Sequence, residues 1–437
     1  KSARRRYVLA TFSTWPESTV QSAHSTSPNI PELLAPAGCF ASLQSAIDGG
    51  ADAIYFGLAQ LNMRARARRS FQGSDLSEIM QRIHDGGCRG FLTLNTLLYE
   101  HDLPLAYSLL DEAVEQGVDA IIVADIAAMQ AARERGLEVH ISTQLSISNF
   151  PTLRFYAQWA DRVVLARELT LSAVKRLHQK IVETDLRGPA GRPMELEIFA
   201  HGAQCIAVSG RCGMSLHTSN ASANRGACEQ NCRREYTVTD TVSGDQLVVD
   251  NNYIMSPKDL LTLDFLDSLV DAGAAVLKLE GRARSPEYVE AVVSAYRTAL
   301  DAIAEGTYDQ ALVQSLMPQL NSVYNRGFGS GFYLGRKEGW SKAGGSRATH
   351  RKVLVGPIQK YFGKAGVIVA NVTDAGLSEG DAFVIVGPTT GVVKGTVTGL
   401  RVDGQTSSTA QKGDLLSFAV GEKARSSDRL YKMVPVA

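Results

Sequence analysis

The stretch "AIIVADIAAMQAARERGLEVHISTQ", residues 120–144, sets two short apolar runs, 120–125 and 138–144, on either side of an amphipathic stretch of helical length. A short apolar run between polar residues reads as a buried strand, and strand, helix, strand reads as two parallel strands joined by a crossover. The pattern recurs. From residue 31 onward we read eight such runs: "PELLAPAG" (31–38), "AIYFGL" (53–58), "GFLTLNT" (90–96), "AIIVAD" (120–125), "EVHISTQ" (138–144), "RVVLARE" (162–168), "LEIFAHG" (196–202) and "AVLKLEG" (275–281). Helical segments fall between nearly all of them; in "DLSEIMQRIHDGG", Ser74 is a candidate N-cap and Gly86-Gly87 the stop. Eight strand-helix units predict an α/β chain with a (β/α)8 TIM-barrel-like core, the rival being a doubly wound open sheet.

In such a barrel the polar residues at the C-terminal ends of the strands meet at one mouth, where chemistry is placed. Here they are Asn95, Asp125, Gln144, Arg167, Glu168, His201 and Glu280.

The core is expected to span 31–305, with an insertion at 203–254 after the seventh run. A lid or linker over 306–350 follows, read from the spaced glycines and aromatics of "NSVYNRGFGSGFYLGR". From 351 to 437, short β-rich runs with Gly-Asp and Asp-Gly turns predict a small antiparallel β-barrel. Residues 1–30 hold four basic residues, one acid and ten Ser or Thr. That is the composition of a plastid or mitochondrial transit peptide, or else of a disordered tail on a bacterial cytoplasmic protein.

Lysine plus arginine balances aspartate plus glutamate at 45 each, so no global field gathers nucleic acid, and any polyanion must be met by a local patch. Candidates are "RARARR" (64–69), Arg225, Arg233, Arg234, Arg282 and Arg284; a solvated charged face is the plainer reading of any one of them. No apolar run is long enough to cross a bilayer as a helix, so no membrane partner is expected.

Four of the six cysteines fall within "HGAQCIAVSGRCGMSLHTSNASANRGACEQNCRREY" (201–236), as Cys205, Cys212, Cys228 and Cys232. Disulfides would leave Cys39 and Cys88 unpaired in a chain without a secretory signal. A zinc site suits the Cys228/Cys232 half better than the Cys205/Cys212 half. A 4Fe-4S cluster accepts less regular spacing, because its ligands reach iron atoms at different corners. Buried packing cysteines would not need this clustering among polar neighbours.

"EIFAHGAQCIAVSGRCGMS" (197–215) resembles the signature of the peptidase U32 family, departing from it only at Gln204, where the family has an apolar residue. The likeness continues in "GADAIYFGL", "ISTQLSISN", "RGACEQNCRREY", "LKLEGRARSPEYV" and "NRGFGSGFYLG", and so covers residues 31–335. It implies a 4Fe-4S cluster on Cys205, Cys212, Cys228 and Cys232, and oxygen-independent or prephenate-dependent hydroxylation of a tRNA wobble uridine, a ribosomal cytidine or the ubiquinone ring. The one-core arrangement with a C-terminal barrel is most similar to the tRNA 5-hydroxyuridine branch. The family name implies the alternative, collagenase-like proteolysis; a cluster-bearing accessory subunit without catalysis of its own is a further one.

For proteolysis the chain offers no Gly-x-Ser-x-Gly elbow, no His-Glu-x-x-His and no lone cysteine with an evident histidine partner, Cys39 and Cys88 reading as core. Pyrimidine hydroxylation is redox chemistry that side chains cannot perform alone. For it, Arg64, Arg66, Arg167 and Arg282 are candidate clamps on a small carboxylated co-substrate such as prephenate, or rim salt bridges. Glu168 and Glu280 are candidate proton acceptors or ion-pair partners. His201 is a candidate proton relay or a structural histidine, and Gln144 and Asn95 could read a base edge or hold a loop. The C-terminal unit, with Lys352, Lys360, Lys364 and Lys394, is expected to position tRNA or rRNA.

Overall fold

The computed structural model describes residues 30–65, 70–244, 246–247, 255–336, 339–341 and 345–436. The expected leader lies outside them but for Ile30, as do Arg66 and the last part of the expected insertion.

β1 (Glu32–Pro36), β2 (Ala53–Phe56), β3 (Arg89–Leu94), β4 (Ala120–Val123), β5 (Glu138–Ile141), β6 (Arg162–Val164) and β7 (Glu195–Ala203) pair in parallel, each with the next. The insertion after β7 carries the small hairpin β8 (Val238–Thr239) and β9 (Gln246–Leu247), then β10 (Asp259–Leu261), antiparallel to the end of β7. β11 (Val276–Leu279) is parallel to both β7 and β1, closing an eight-stranded barrel. Closure rules out the open sheet, and each of the eight apolar runs supplies one barrel strand.

Helices α1 (Phe40–Asp48), α2 (Leu76–Asp85), α3 (Leu103–Glu115), α4 (Ile126–Glu134), α5 (Phe150–Tyr156) and α6 (Leu171–Glu183) join successive strands. α7 (Met214–Ser219) belongs to the insertion, α8 (Leu266–Asp271) precedes β11, and α9 (Pro286–Glu305) follows it. Strand alternation sorts the core into two layers. Leu33, Ile54, Phe56 and Leu92 belong to the large layer under the helices, while Leu34, Tyr55, Phe91, Ile122 and Val276 form a second cluster. The cap of α2 falls one residue later than expected: Ser74 lies in a 3-10 turn, Asp75 takes the cap position, and Gly86 ends the helix. Asp125, expected at the mouth, instead caps α4, accepting from the Ala127 amide at 2.9 Å and the Leu98 amide at 3.0 Å.

The segment expected as a lid or linker begins with a helix, α10 (Gln310–Ser322), which packs on α9 through Gln319 Nε2, donating to Ala291 O at 2.8 Å and Ser294 Oγ at 2.6 Å. β12 (Phe328–Gly329) then pairs with β10, and Tyr333 donates its hydroxyl to Phe199 O at 2.7 Å. The glycine-rich stretch therefore packs against β10 and β7, and its Arg326 reaches the mouth.

Residues 350–435 form an antiparallel unit around Val355, Ile358, Ile368, Phe383, Phe418 and Leu430. Its long strand β13 (His350–Phe362) shifts register twice, pairing with Arg429–Pro435 along its first half and Val367–Asn371 along its second, as bulges allow. The unit docks on the barrel's helices: Lys352 meets Glu287 at 2.8 Å, Lys394 pairs with Glu290, and Arg82 donates to Pro388 O at 2.8 Å. Two of the lysines expected to face RNA are thus committed to this seam, and Lys360 lies 4.6 Å from the Phe362 ring. No helix among the described residues is long and apolar enough to cross a membrane.

Candidate active site at the barrel mouth

A cavity of roughly 270 Å³ opens at the C-terminal end of the barrel. Tyr55, Ile122, Val164 and Phe199 give it an apolar floor, and the insertion bends over it, bringing Cys205, Cys212, Cys228 and Cys232 to its wall. Glycines permit the close fit. Gly210 and Gly226 take φ of +79° and +84°, and a Cβ on either would stand 1.8 Å from Gln144 Oε1 or 2.2 Å from Asn62 O.

All six cysteines are free thiols, so no disulfide joins the four. Cys205 and Cys228 are exposed, Cys212 and Cys232 half-buried. Burial pushes the Cys232 thiol up; Arg233 draws it down, and Cys205, Cys228 and Cys212 each push it further up, so the four share one electrostatic neighbourhood. No three His, Cys, Asp or Glu side chains among the described residues are gathered as around a single metal ion. Of the remaining thiols, Cys88 is buried and donates to Ala51 O at 3.0 Å, while Cys39 is half-buried at the start of α1.

Among the described residues, seven cationic side chains line the cavity against one carboxylate, Glu280. Glu280 binds Arg64 Nη2 at 2.9 Å. Burial alone would raise its pKa, but Arg64, Arg284 and Arg167 outweigh burial and hold it at about 2. Asp259 serves Arg326 at 3.4 Å and Arg284 at 3.8 Å. Arg282, 9% exposed, donates only to neutral oxygens, Thr93 Oγ1 at 2.7 Å and Asn62 Oδ1 at 3.1 Å, and burial lowers its pKa to about 10. Arg167 donates to Ala203 O at 2.8 Å and stacks 3.7 Å from the Phe199 ring centroid; its Nε is buried without a partner among the described residues. Neither Arg167 nor Arg282 forms an ion pair among the described residues, an arrangement that favours an anion.

The structure brings Arg64, Asn95, Gln144, Arg167, Glu280, Arg282 and the four cysteines to one cavity. Asn95 holds a loop, donating to Ser142 Oγ at 3.1 Å and accepting from the Met63 amide at 3.3 Å. His201 and Glu168 fall outside this group. In the pairing of β7 with β11, Lys278 faces Phe199 but Leu279 faces His201, so Ala200 is an extra residue that reverses the alternation. His201 therefore packs among Tyr296, Phe328 and Tyr288, with ring centroids 5.5, 5.7 and 6.0 Å away, and does not line the main cavity. Burial and Arg284 lower its pKa to about 3, which keeps the ring neutral and unsuited to carrying a proton at neutral pH. Glu168 is exposed and off the cavity, because the chain turns at Arg167 and Glu168 once β6 has ended.

Lys278 is a lining residue that the sequence reading overlooked. It is 5% exposed, 4.3 Å from the Tyr55 ring centroid, and donates to Glu197 Oε1 at 2.7 Å. Burial lowers its pKa, against the pull of Glu197. Alternation along "AVLKLEG" was the signal: Val276, Lys278 and Glu280 share one parity.

The peptidase family U32 signature matches residues 38–342. The chain is 49% identical over 402 residues to a collagenase of Porphyromonas gingivalis, covering 92% of this chain and 97% of the relative. It is 32% identical over 312 residues to tRNA hydroxylation protein P1 of Bacillus subtilis, covering 70% and 71%. To the 23S rRNA 5-hydroxycytidine C2501 synthase of Escherichia coli it is 34% identical over 313 residues, covering 70% of this chain and 46% of that one. With a match over most of its length, thiols and barrel included, the chain belongs to peptidase family U32.

Proposed function

We propose that the chain hydroxylates a pyrimidine of RNA, with the tRNA wobble uridine as the first candidate, using a 4Fe-4S cluster held by Cys205, Cys212, Cys228 and Cys232. One observation carries this reading: four free thiols reach a single cavity in which cations outnumber carboxylates. The donor set fits, since four thiolates around a cluster form an anionic centre and Arg64, Arg167 and Arg233 each couple to one of the thiols. When bound, the cluster supplies one-electron chemistry that side chains lack.

The chain's own residues would bind and orient. Arg282 and Arg167 are suited to the carboxylate of a co-substrate such as prephenate, or to a nucleotide phosphate, by paired N–H donors. Phe199, Tyr55 and Val164 keep water from the floor. Gln144, whose side-chain amide makes no hydrogen bond among the described residues, is free to meet a base edge. Glu280, held near pH 2, is a weak base and serves to fix Arg64. Lys278 Nζ, brought nearer to neutral pH by burial, is the better group to hold or release a proton.

The collagenase-named relative favours a second reading, proteolysis. Against it, no histidine among the described residues lines the cavity to activate a cysteine or serine. Mass spectrometry of tRNA and rRNA nucleosides from cells lacking the gene separates the two. Hydroxylated pyrimidines should disappear and return with the wild-type gene; unchanged nucleosides, together with gelatin cleavage by the purified protein, would replace this reading with the second.

A further inference from the structure

The loop after β3 places Tyr99 beside the mouth, a few residues beyond Asn95. Its ring is 54% exposed, yet its surroundings are fixed. The Arg225 guanidinium lies 3.9 Å from the ring centroid. That guanidinium is gripped by both oxygens of Asp102, at 2.6 and 3.2 Å, and by Leu97 O at 3.1 Å. Asp102, 8% exposed, also accepts the Tyr99 backbone N–H at 2.7 Å, so one buried carboxylate positions both the tyrosine and its cation. His101 stands edge-on, its centroid 5.8 Å away. The Leu97 amide donates to Asn224 O at 3.1 Å, tying this loop to the cysteine insertion next to Ala223, which lines the cavity.

We propose that Tyr99, backed by Arg225, is a stacking platform for the nucleobase adjacent to the one that enters the cavity. The proposal rests on the RNA reading above. Single-stranded RNA is commonly gripped by stacking its bases on aromatic and guanidinium planes, largely without regard to sequence. Ordering an exposed side chain costs rotamer entropy, which a preorganised platform recovers when the base arrives. In the adjoining cavity cations outnumber carboxylates, and Arg167 and Arg282 form no ion pair among the described residues; this charge matches the phosphates of RNA better than a neutral polypeptide.

The test is binding of an RNA hairpin whose single-stranded loop carries 2-aminopurine beside the target pyrimidine. Wild-type protein should quench the fluorophore. Tyr99→Ala should bind on the order of tenfold more weakly, and Tyr99→Trp should restore affinity. Tyr99→Ala binding as tightly as wild type, or wild type binding without quenching, overturns the platform alone and needs no variant to fold in the second case. Wild type that leaves the hairpin unbound overturns the RNA reading itself. Weakened gelatin binding by Tyr99→Ala with RNA binding unchanged assigns the ring to a polypeptide and also overturns the proposal.

Discussion

Arg162, low in the barrel, and Arg282, at its mouth, are 1% and 9% exposed, yet their surroundings differ. Arg162 meets Glu195 at 2.7 Å, Glu32 at 2.9 Å and Glu197 at 3.8 Å, and Glu197 in turn holds Lys278. Among the described residues, Arg282 donates only to a hydroxyl and an amide oxygen. The lower lumen is a closed charge network; the mouth, on the function proposed above, holds charge in reserve for a ligand. The thiols divide the same way. Cys88 is packed against Ala51, while the insertion's four converge without bonding to one another.

The largest expected effect sharpens the thiol contrast. Cys228→Ser should abolish the hydroxylated nucleoside in complemented cells, whereas Cys88→Ser should retain it at some cost in stability; loss in both, or in neither, would erase the distinction. Arg162→Met should destabilise by about 3–5 kcal/mol in denaturant unfolding, because it strands carboxylates in the lumen. Arg282→Met should change stability by no more than about 1 kcal/mol, the loss of its two hydrogen bonds being offset by removal of an unpaired buried charge, and yet depress nucleoside modification. Equal destabilisation by the two substitutions would contradict the idea of reserved charge.

His140 offers a smaller effect, within the lower network. Burial and Arg162 lower its pKa to about 4, although Glu138 accepts from it at 2.9 Å. A histidine depressed below its unfolded value of 6.5 favours folding fully above that value and loses the contribution as pH falls towards 4. His140 should therefore account for a loss of roughly 3 kcal/mol over that window, on top of the loss of the same sign from His201, and His140→Phe should lose distinctly less than the wild type. Identical pH profiles would refute the assignment. The smallest change is expected at the seam: Lys352→Ala and Lys394→Ala should each cost about 1 kcal/mol or less, since both are partly exposed pairs.

The barrel was legible because each strand is a compact apolar run, and the C-terminal unit because turns punctuate its strands. α10 was not, since Pro318 interrupts the pattern of a helix. The cysteines were legible as a group through their spacing. His201 was misplaced because a one-residue bulge at Ala200 reverses the facing of the residues beyond it, and no residue type announces the bulge. Glu168 was misplaced because strand alternation no longer governs the turn beyond β6. Lys278 passed unnoticed inside an apolar run, because its partner Glu197 lies far off in sequence and was read only as part of the signature.

The most direct test is metal and acid-labile sulfide analysis of protein purified without oxygen. We expect about four iron and four sulfide per chain, absent from Cys228→Ala. Wild-type protein carrying a single zinc ion, or no metal with all four thiols open to alkylation, would contradict the account.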